Sequence, residues 1–139
     1  MAEKFKFEIV TPYGVVVSEE VDDATAPGAE GEFGVLKLHT DYLTTLKSGV
    51  VRYRKDGQSA SYVVGRGYAE VVAEKTVIIV DSAEKPEDID PEEARKALKD
   101  AEEALKGIPE DVENYKLLVA DLELAKARVD ALGDNSEKH

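Results

Sequence analysis

Two histidines, thirty carboxylates and no cysteine bound the chemistry open to this chain. Without cysteine there is no thiol nucleophile, no thiolate metal site and no disulfide framework. His139 is the last residue, and His39 is not accompanied by a nucleophile-elbow pattern around any serine. The preferred reading of His39 is a loop histidine making a structural or interface hydrogen bond. Gly28, Gly31 and Gly34 stand three apart in the stretch 27–34, but this is neither the dinucleotide fingerprint nor a P-loop, which needs a Lys-Ser/Thr ending. Glu30 and Glu32 within the same stretch would repel a phosphate. The glycines are therefore read as positions of positive φ or close backbone approach. They leave two exposed carboxylates on a constrained loop, a feature suited to a protein contact. The remaining acids lack a Glu-x-x-His pattern, so a carboxylate-bridged metal site is not expected. No enzyme signature emerges.

The elements that must carry these residues change character near Glu84. The first 84 residues hold 8 of the 10 glycines and 8 of the 9 aromatics, while the last 55 are rich in Ala, Leu, Glu and Lys, which favour helix. Phe5, Phe7 and Ile9 alternate with Lys6 and Glu8, and Val51 and Tyr53 alternate with Arg52 and Arg54, the period of half-buried strands. Asp56-Gly57 is a tight-turn pair, and Ser61 to Val64 returns from it. Tyr68–Ala73 and Thr76–Val80 flank a second hairpin link at Glu74-Lys75. With Val15–Val17, Val21–Ala26 and Phe33–Leu38, eight to ten short strands are expected, a small antiparallel sandwich or flattened barrel.

Beyond Pro86 the period becomes helical. Asp90-Pro91-Glu92-Glu93 combines a capping residue, a first-turn proline and a capping-box acid. Ala94, Ala97, Leu98, Ala101, Ala104 and Leu105 follow at helical spacing, and Gly107 ends the helix. A second helix carries Val112, Tyr115, Val119 and Leu122, continued by Leu118, Ala125, Val129 and Leu132, with Gly133 as its stop. The expected organisation is a β domain over 1–84, a hinge over 85–88, an α-helical hairpin over 89–133 and a disordered tail over 134–139. The seam between the helices is mostly alanine and leucine. An alanine methyl contributes only about 1 kcal/mol on burial against about 2 kcal/mol for leucine, so such a hairpin is suited to opening or changing partners.

The net charge of −12 argues against nucleic acid and anionic lipid as partners. The start of the chain has no apolar run of signal-peptide type, and no stretch approaches the roughly 18 apolar residues of a spanning helix, so an intracellular protein without membrane insertion is expected.

In its order of motifs the chain resembles the epsilon subunit of bacterial and chloroplast F-type ATP synthases. The matching segments are Val10-Thr11-Pro12-Tyr13-Gly14, Pro27 to Leu36, His39 to Arg52, Gly65 to Val71 and Val77 to Asp81, and the likeness continues through both helices. The resemblance implies a ten-stranded sandwich that joins the gamma subunit to the c-subunit ring, coupling proton flow to ATP synthesis at catalytic sites in other subunits. It places Glu30, Gly31 and Glu32 toward the c ring and His39, Thr40 and Asp41 near gamma. It implies attachment at the cytoplasmic face of the bacterial inner membrane, with the stromal side of chloroplasts as the lesser alternative. It also makes the hairpin a regulator, folded against the sandwich in the permissive state and extended toward the catalytic alpha and beta subunits in the inhibitory one.

The chain departs from that pattern in places. Lys37-Leu38 replace the usual Pro-Gly before His39, and Arg66 replaces a common glycine. Members that bind ATP use an Ile/Leu-Asp-x-x-Arg-Ala motif. Here Ile89 and Asp90 are followed by Arg95 five residues after the aspartate, and Glu93 stands where the arginine is expected. The candidate nucleotide set Ile89, Asp90, Arg95 and Arg128 is thus displaced, and the expectation is no cofactor. From Pro109 onward there are 4 basic against 8 acidic residues, which predicts weak or absent inhibition. Two competing readings are a free-standing β-sandwich binding module that dimerises through its helices and a small hydrolase using His39.

Overall fold

A computed structural model describes residues 4–35, 41–72 and 74–137. Ten strands run as β1 (Phe5–Thr11), β2 (Gly14–Val21), β3 (Asp23–Gly28), β4 (Gly31–Val35), β5 (Tyr42–Leu46), β6 (Gly49–Lys55), β7 (Gln58–Val64), β8 (Gly67–Val72), β9 (Lys75–Val80) and β10 (Ala83–Glu84). They form one sheet in the order β10-β7-β6-β3-β5-β8-β9-β1-β2, with β4 paired to β3. All pairings are antiparallel except β1 with β9.

The sheet folds over on itself to make the sandwich. Phe7 of β1 and Tyr53 of β6 have β9, β8, β5 and β3 between their strands, yet their rings lie 5.2 Å apart. Tyr53 Oη also donates to Glu19 Oε2 of β2 at 3.0 Å. Burial, with Glu19 accepting the proton-bearing oxygen's hydrogen bond, pushes the Tyr53 phenol well above its ordinary range. Around this contact pack Phe5, Ile9, Val21, Val51, Val64, Val71, Ile78 and Val80, the apolar phase of each alternating strand. The β6–β7 turn is the tight hairpin expected, with Asp56 at φ 52° and Gly57 at φ 82°. The next hairpin turn is shifted by one residue from the expected Glu74-Lys75 link: Val72 pairs with Lys75, and Glu74 takes the positive φ of 66°.

Strands β6 and β7 break the period of two, and the fold explains why. Val51 and Val64 point into the sandwich, whereas their neighbours Val50 and Val63 enter a second core with Ile89, Ala94, Ala127 and Ala131. Adjacent apolar pairs on a strand signal burial on both faces. The second face is covered by the helical hairpin.

That hairpin consists of α1 (Pro91–Leu105) and α2 (Tyr115–Glu137). Asp90 caps α1, its Oδ1 accepting from the backbone N–H of Glu92 at 2.9 Å and Glu93 at 3.3 Å. After Leu105 the chain turns through Gly107 at φ 73°. Three expectations need correction. The 85–88 hinge is more regular than expected: Pro86–Asp88 form a short 3₁₀ turn that packs on β7 and α2 through the buried Pro86, while Lys85, Glu87 and Asp88 stay exposed. Proline suits the start of such a turn because its fixed φ costs nothing there. Gly133 does not stop the second helix, and 134–137 are not an irregular tail, since α2 continues to Glu137. A mid-helix glycine costs only about 1 kcal/mol, which neighbouring turns offset. Val112 precedes α2 and stands exposed rather than in its stripe. Residues 36–38, expected to extend the fourth strand, lie outside the described residues.

Candidate functional site

The acidic loop is the turn between β3 and β4. Gly28 pairs with Gly31, and Ala29 and Glu30 form the bend between them. A Cβ on Gly28 would lie 2.8 Å from the Gly31 carbonyl oxygen and 2.9 Å from the Phe33 ring, and Gly31 sits at φ 136°. Both glycines are thus required by the bend, as close approach and positive φ respectively. Gly34 has neither requirement. Glu30 and Glu32 are exposed on the turn. They differ in one respect that the sequence did not show: Glu32 Oε2 accepts from Arg52 Nη1 of β6 at 3.4 Å, which aims that carboxylate, while Glu30 projects at the tip.

Of the three residues placed near a stalk partner, His39 and Thr40 lie outside the described residues. Asp41 is exposed immediately before β5. The structure also presents a surface that sequence reasoning missed. Strand register sets Tyr68, Ile79, Val10 and Val15 side by side across β8, β9, β1 and β2. Tyr68, Ile79 and Val15 are 54%, 44% and 62% exposed, and Leu43 on the same side of β5 is 69% exposed. Tyr13, at the β1–β2 turn, is 96% exposed. Large apolar side chains aligned on one sheet face mark a binding surface, since water gains by their removal. The sequence carried a partial signal: Val10, Tyr68 and Ile79 are apolar in the outward phase of strands whose inward phase is already apolar.

The candidate nucleotide residues are not assembled. Ile89 is buried in the second core, and the Asp90 carboxylate is committed to capping α1. Arg95 is exposed on α1. Arg128 Nε lies 2.7 Å from Glu84 Oε1 of β10, close enough for an ion pair though poorly aligned for a hydrogen bond. No hydrogen bond or ion pair among the described residues joins any two of these four. No group of three or more His, Cys, Asp or Glu arranged for a metal ion occurs among the described residues.

The hairpin itself is docked. Arg66, at the β7–β8 junction, donates from Nε and Nη2 to Glu123 Oε1 of α2 at 3.1 and 3.0 Å. Alpha helix α2 is apolar on two sides rather than one. Ala127 and Ala131 pack on β6 and β7, while Leu118 and Ala125 line the groove toward Ala97, Ala101 and Ala104 of α1. No described helix is long and apolar enough to cross a membrane.

Comparison with known proteins covers both parts of the chain. Residues 4–86 match the family model of the ATP synthase delta/epsilon chain β-sandwich domain, and residues 87–133 match that of its long α-helix domain. The ATP synthase epsilon chain of Citrifermentans bemidjiense is 49% identical over 133 residues, 96% of each chain. That of Geobacter sulfurreducens is 44% identical over 138 residues, 99% of this chain and 100% of the relative. Among solved structures, a chain of the Euglena gracilis mitochondrial ATP synthase superposes with a TM-score of 0.80 at 26% identity, over 95% of this chain and 82% of that one. A chain from the central stalk and c-ring of the Tetrahymena thermophila enzyme shares the fold, with a TM-score of 0.58 at 17% identity. A β-sandwich domain followed by an α-helical domain is what the two matching family models describe, and the chain belongs to the ATP synthase delta/epsilon chain family.

Proposed function

We propose that the chain is the epsilon subunit at the joint between the gamma subunit and the c-subunit ring, a non-catalytic part that couples proton flow to rotary ATP synthesis. The observation that carries this reading is the exposed apolar row Tyr68–Ile79–Val10–Val15, which a monomer would not leave in water without a partner. In this reading the row and Asp41, with His39 and Thr40, face gamma. The Glu30–Gly31–Glu32 turn meets the polar loops of the c ring. The chain sits peripherally at the cytoplasmic face of the bacterial membrane, held by its partners. A free-standing module dimerising through its helices is disfavoured, because Ala127 and Ala131 of α2 are already buried on β6 and β7 and Leu117 is the one large apolar side chain that described α2 leaves mostly exposed.

The hairpin is in its folded position on the sandwich, and we read it as a weak regulator that senses no nucleotide. The commitments of Asp90 to its cap and Arg128 to Glu84 support the second point.

Ile79→Asp, on an outward position, should leave the β-sheet circular dichroism intact but abolish co-purification with gamma. Retained co-purification would remove this face from the interface. Glu32→Lys should weaken proton-coupled ATP synthesis in reconstituted vesicles without unfolding the subunit, and unchanged coupling would dissociate the acidic turn from the ring.

A further inference from the structure

We infer that Arg52 is a positioning residue for the c-ring contact: its guanidinium, reaching over β3 from β6, sets the Glu32 carboxylate in the pose that meets the ring. This role presupposes that the Glu30–Gly31–Glu32 turn is that contact. The strand that carries Glu32 is held unevenly. Strand β4 lies off the main path of the sheet and pairs with β3, so its backbone ladder fixes it from one side. A two-stranded hairpin without further support is only marginal in water. Two side chains brace it, one on each face. Phe33 points inward, packs against the sandwich core and sets its ring edge-on to Tyr42 of β5, with centroids 5.8 Å apart. Glu32 belongs to the opposite face, and the brace there is Arg52, Nη1 lying 3.4 Å from Oε2.

Strand register makes this reach possible. Thr25 of β3 pairs with Arg52 on one side and with Gly34 on the other, so the three residues form a rung across β6, β3 and β4. Glu32 stands two residues from Gly34 and shares its face. From β6 to β4 is two strand spacings, roughly 10 Å, a gap that two long side chains can close over a threonine and a glycine. Both partners are about half exposed, at 41% and 59%, so the pair adds little to folding and its effect is orientation. It leaves Glu32 usable. A carboxylate has about four lone-pair sites, Arg52 takes a place on Oε2, and Oε1 has no partner among the described residues. Oε1 is thus available to a cationic or N–H donor on the ring. Holding a rotamer-rich side chain in place beforehand removes an ordering cost that would otherwise fall on the contact. Glu30, at the tip of the same bend, has no hydrogen bond or ion pair among the described residues to hold it.

The test uses the enzyme in vesicles, stripped of this subunit and reconstituted with full-length variants. The readout is the subunit concentration that restores half of proton-driven ATP synthesis. Arg52→Met keeps the aliphatic stem and drops the guanidinium, and it should raise that concentration roughly two- to fivefold. Arg52→Lys keeps the charge without the planar fork and should fall between Arg52→Met and wild type. Glu32→Ala should raise the concentration at least as far as Arg52→Met. The double variant decides the mechanism: a residue acting through Glu32 has nothing left to lose once Glu32 is gone, so Arg52→Met should add no further change. A merely structural role of Arg52 in β6 would add its own loss. Circular dichroism and co-purification with gamma should match wild type in every variant. Additive losses, or a loss with Glu32→Ala and none with Arg52→Met, would overturn the positioning role while leaving the turn as the ring contact. No loss with Glu32→Ala would remove the turn from the ring, and the role of Arg52 with it.

Discussion

At the scale of single residues, identity is dictated where the backbone comes too close for a side chain. Gly67 opens β8 opposite Val80, and a Cβ built on it would lie 1.8 Å from the Ile79 carbonyl oxygen and 2.8 Å from the Val80 Cα. Those are backbone atoms in a paired strand and cannot swing aside as a flexible side chain would. Gly67→Ala should therefore lower unfolding stability by about 3 kcal/mol or more, read as a drop in urea midpoint. A loss below about 1 kcal/mol would show that β8 and β9 can separate there. The consequence is functional as well as structural, because Tyr68 follows immediately and Ile79 is its cross-strand neighbour in the apolar row. The acidic turn follows the same logic. Gly28 and Gly31 make the bend that presents Glu30 and Glu32, and Arg52 then aims one of the two.

At the scale of elements, α1 and α2 differ in how they are held. Helix α1 owes its start to Asp90 and Pro91, and of its residues Ala94 alone is buried, so its boundary depends heavily on local capping. Asp90→Ala should cost about 1 kcal/mol of α1 stability and reduce helical circular dichroism, with the β signal unchanged. Full retention of helicity would mean that packing on α2 sets the boundary instead. Helix α2 is held by tertiary contacts on two sides, which lets it run through Gly133 to Glu137 despite the poor propensity of that position. The Asp90 cap and the Gly107 turn were legible in the sequence because they depend on adjacent residues. The two-sided burial of α2 was not. Its alanines at 127 and 131 were invisible as core positions, since alanine is compatible with any helix face.

At the scale of the whole molecule, charge and architecture point in different directions for regulation. The hairpin has the placement of a switch, but from Pro109 onward it carries 4 basic against 8 acidic residues, and Arg128 is engaged by Glu84 when docked. An acidic arm is repelled by any acidic surface it approaches, which slows encounter and weakens the complex. Removing residues 86–139 from the assembled enzyme should leave ATP hydrolysis within about twofold of wild type, less than the several-fold release expected of a coupling energy of 1–3 kcal/mol. A several-fold rise would establish an inhibitory hairpin. The overall charge of −12 is compatible with an arm that stays on its own β domain, where Arg66 meets its acid Glu123.

What the sequence by itself determined is what neighbouring residues decide together. The strand period, the Asp56-Gly57 turn, the Asp90 cap, the helical period after Pro91 and the lack of any cysteine chemistry all follow from short-range φ/ψ preference and inventory. Only the tertiary structure decided which outward residues lie side by side. Val10, Val15, Tyr68 and Ile79 become one surface through strand register, and Arg66 finds Glu123 across 57 residues. The pairing of Val50 with the hairpin and Val51 with the sandwich belongs to the same class. The physical reason is that a period reports the face a residue occupies, whereas contact between faces depends on packing among segments far apart in the chain.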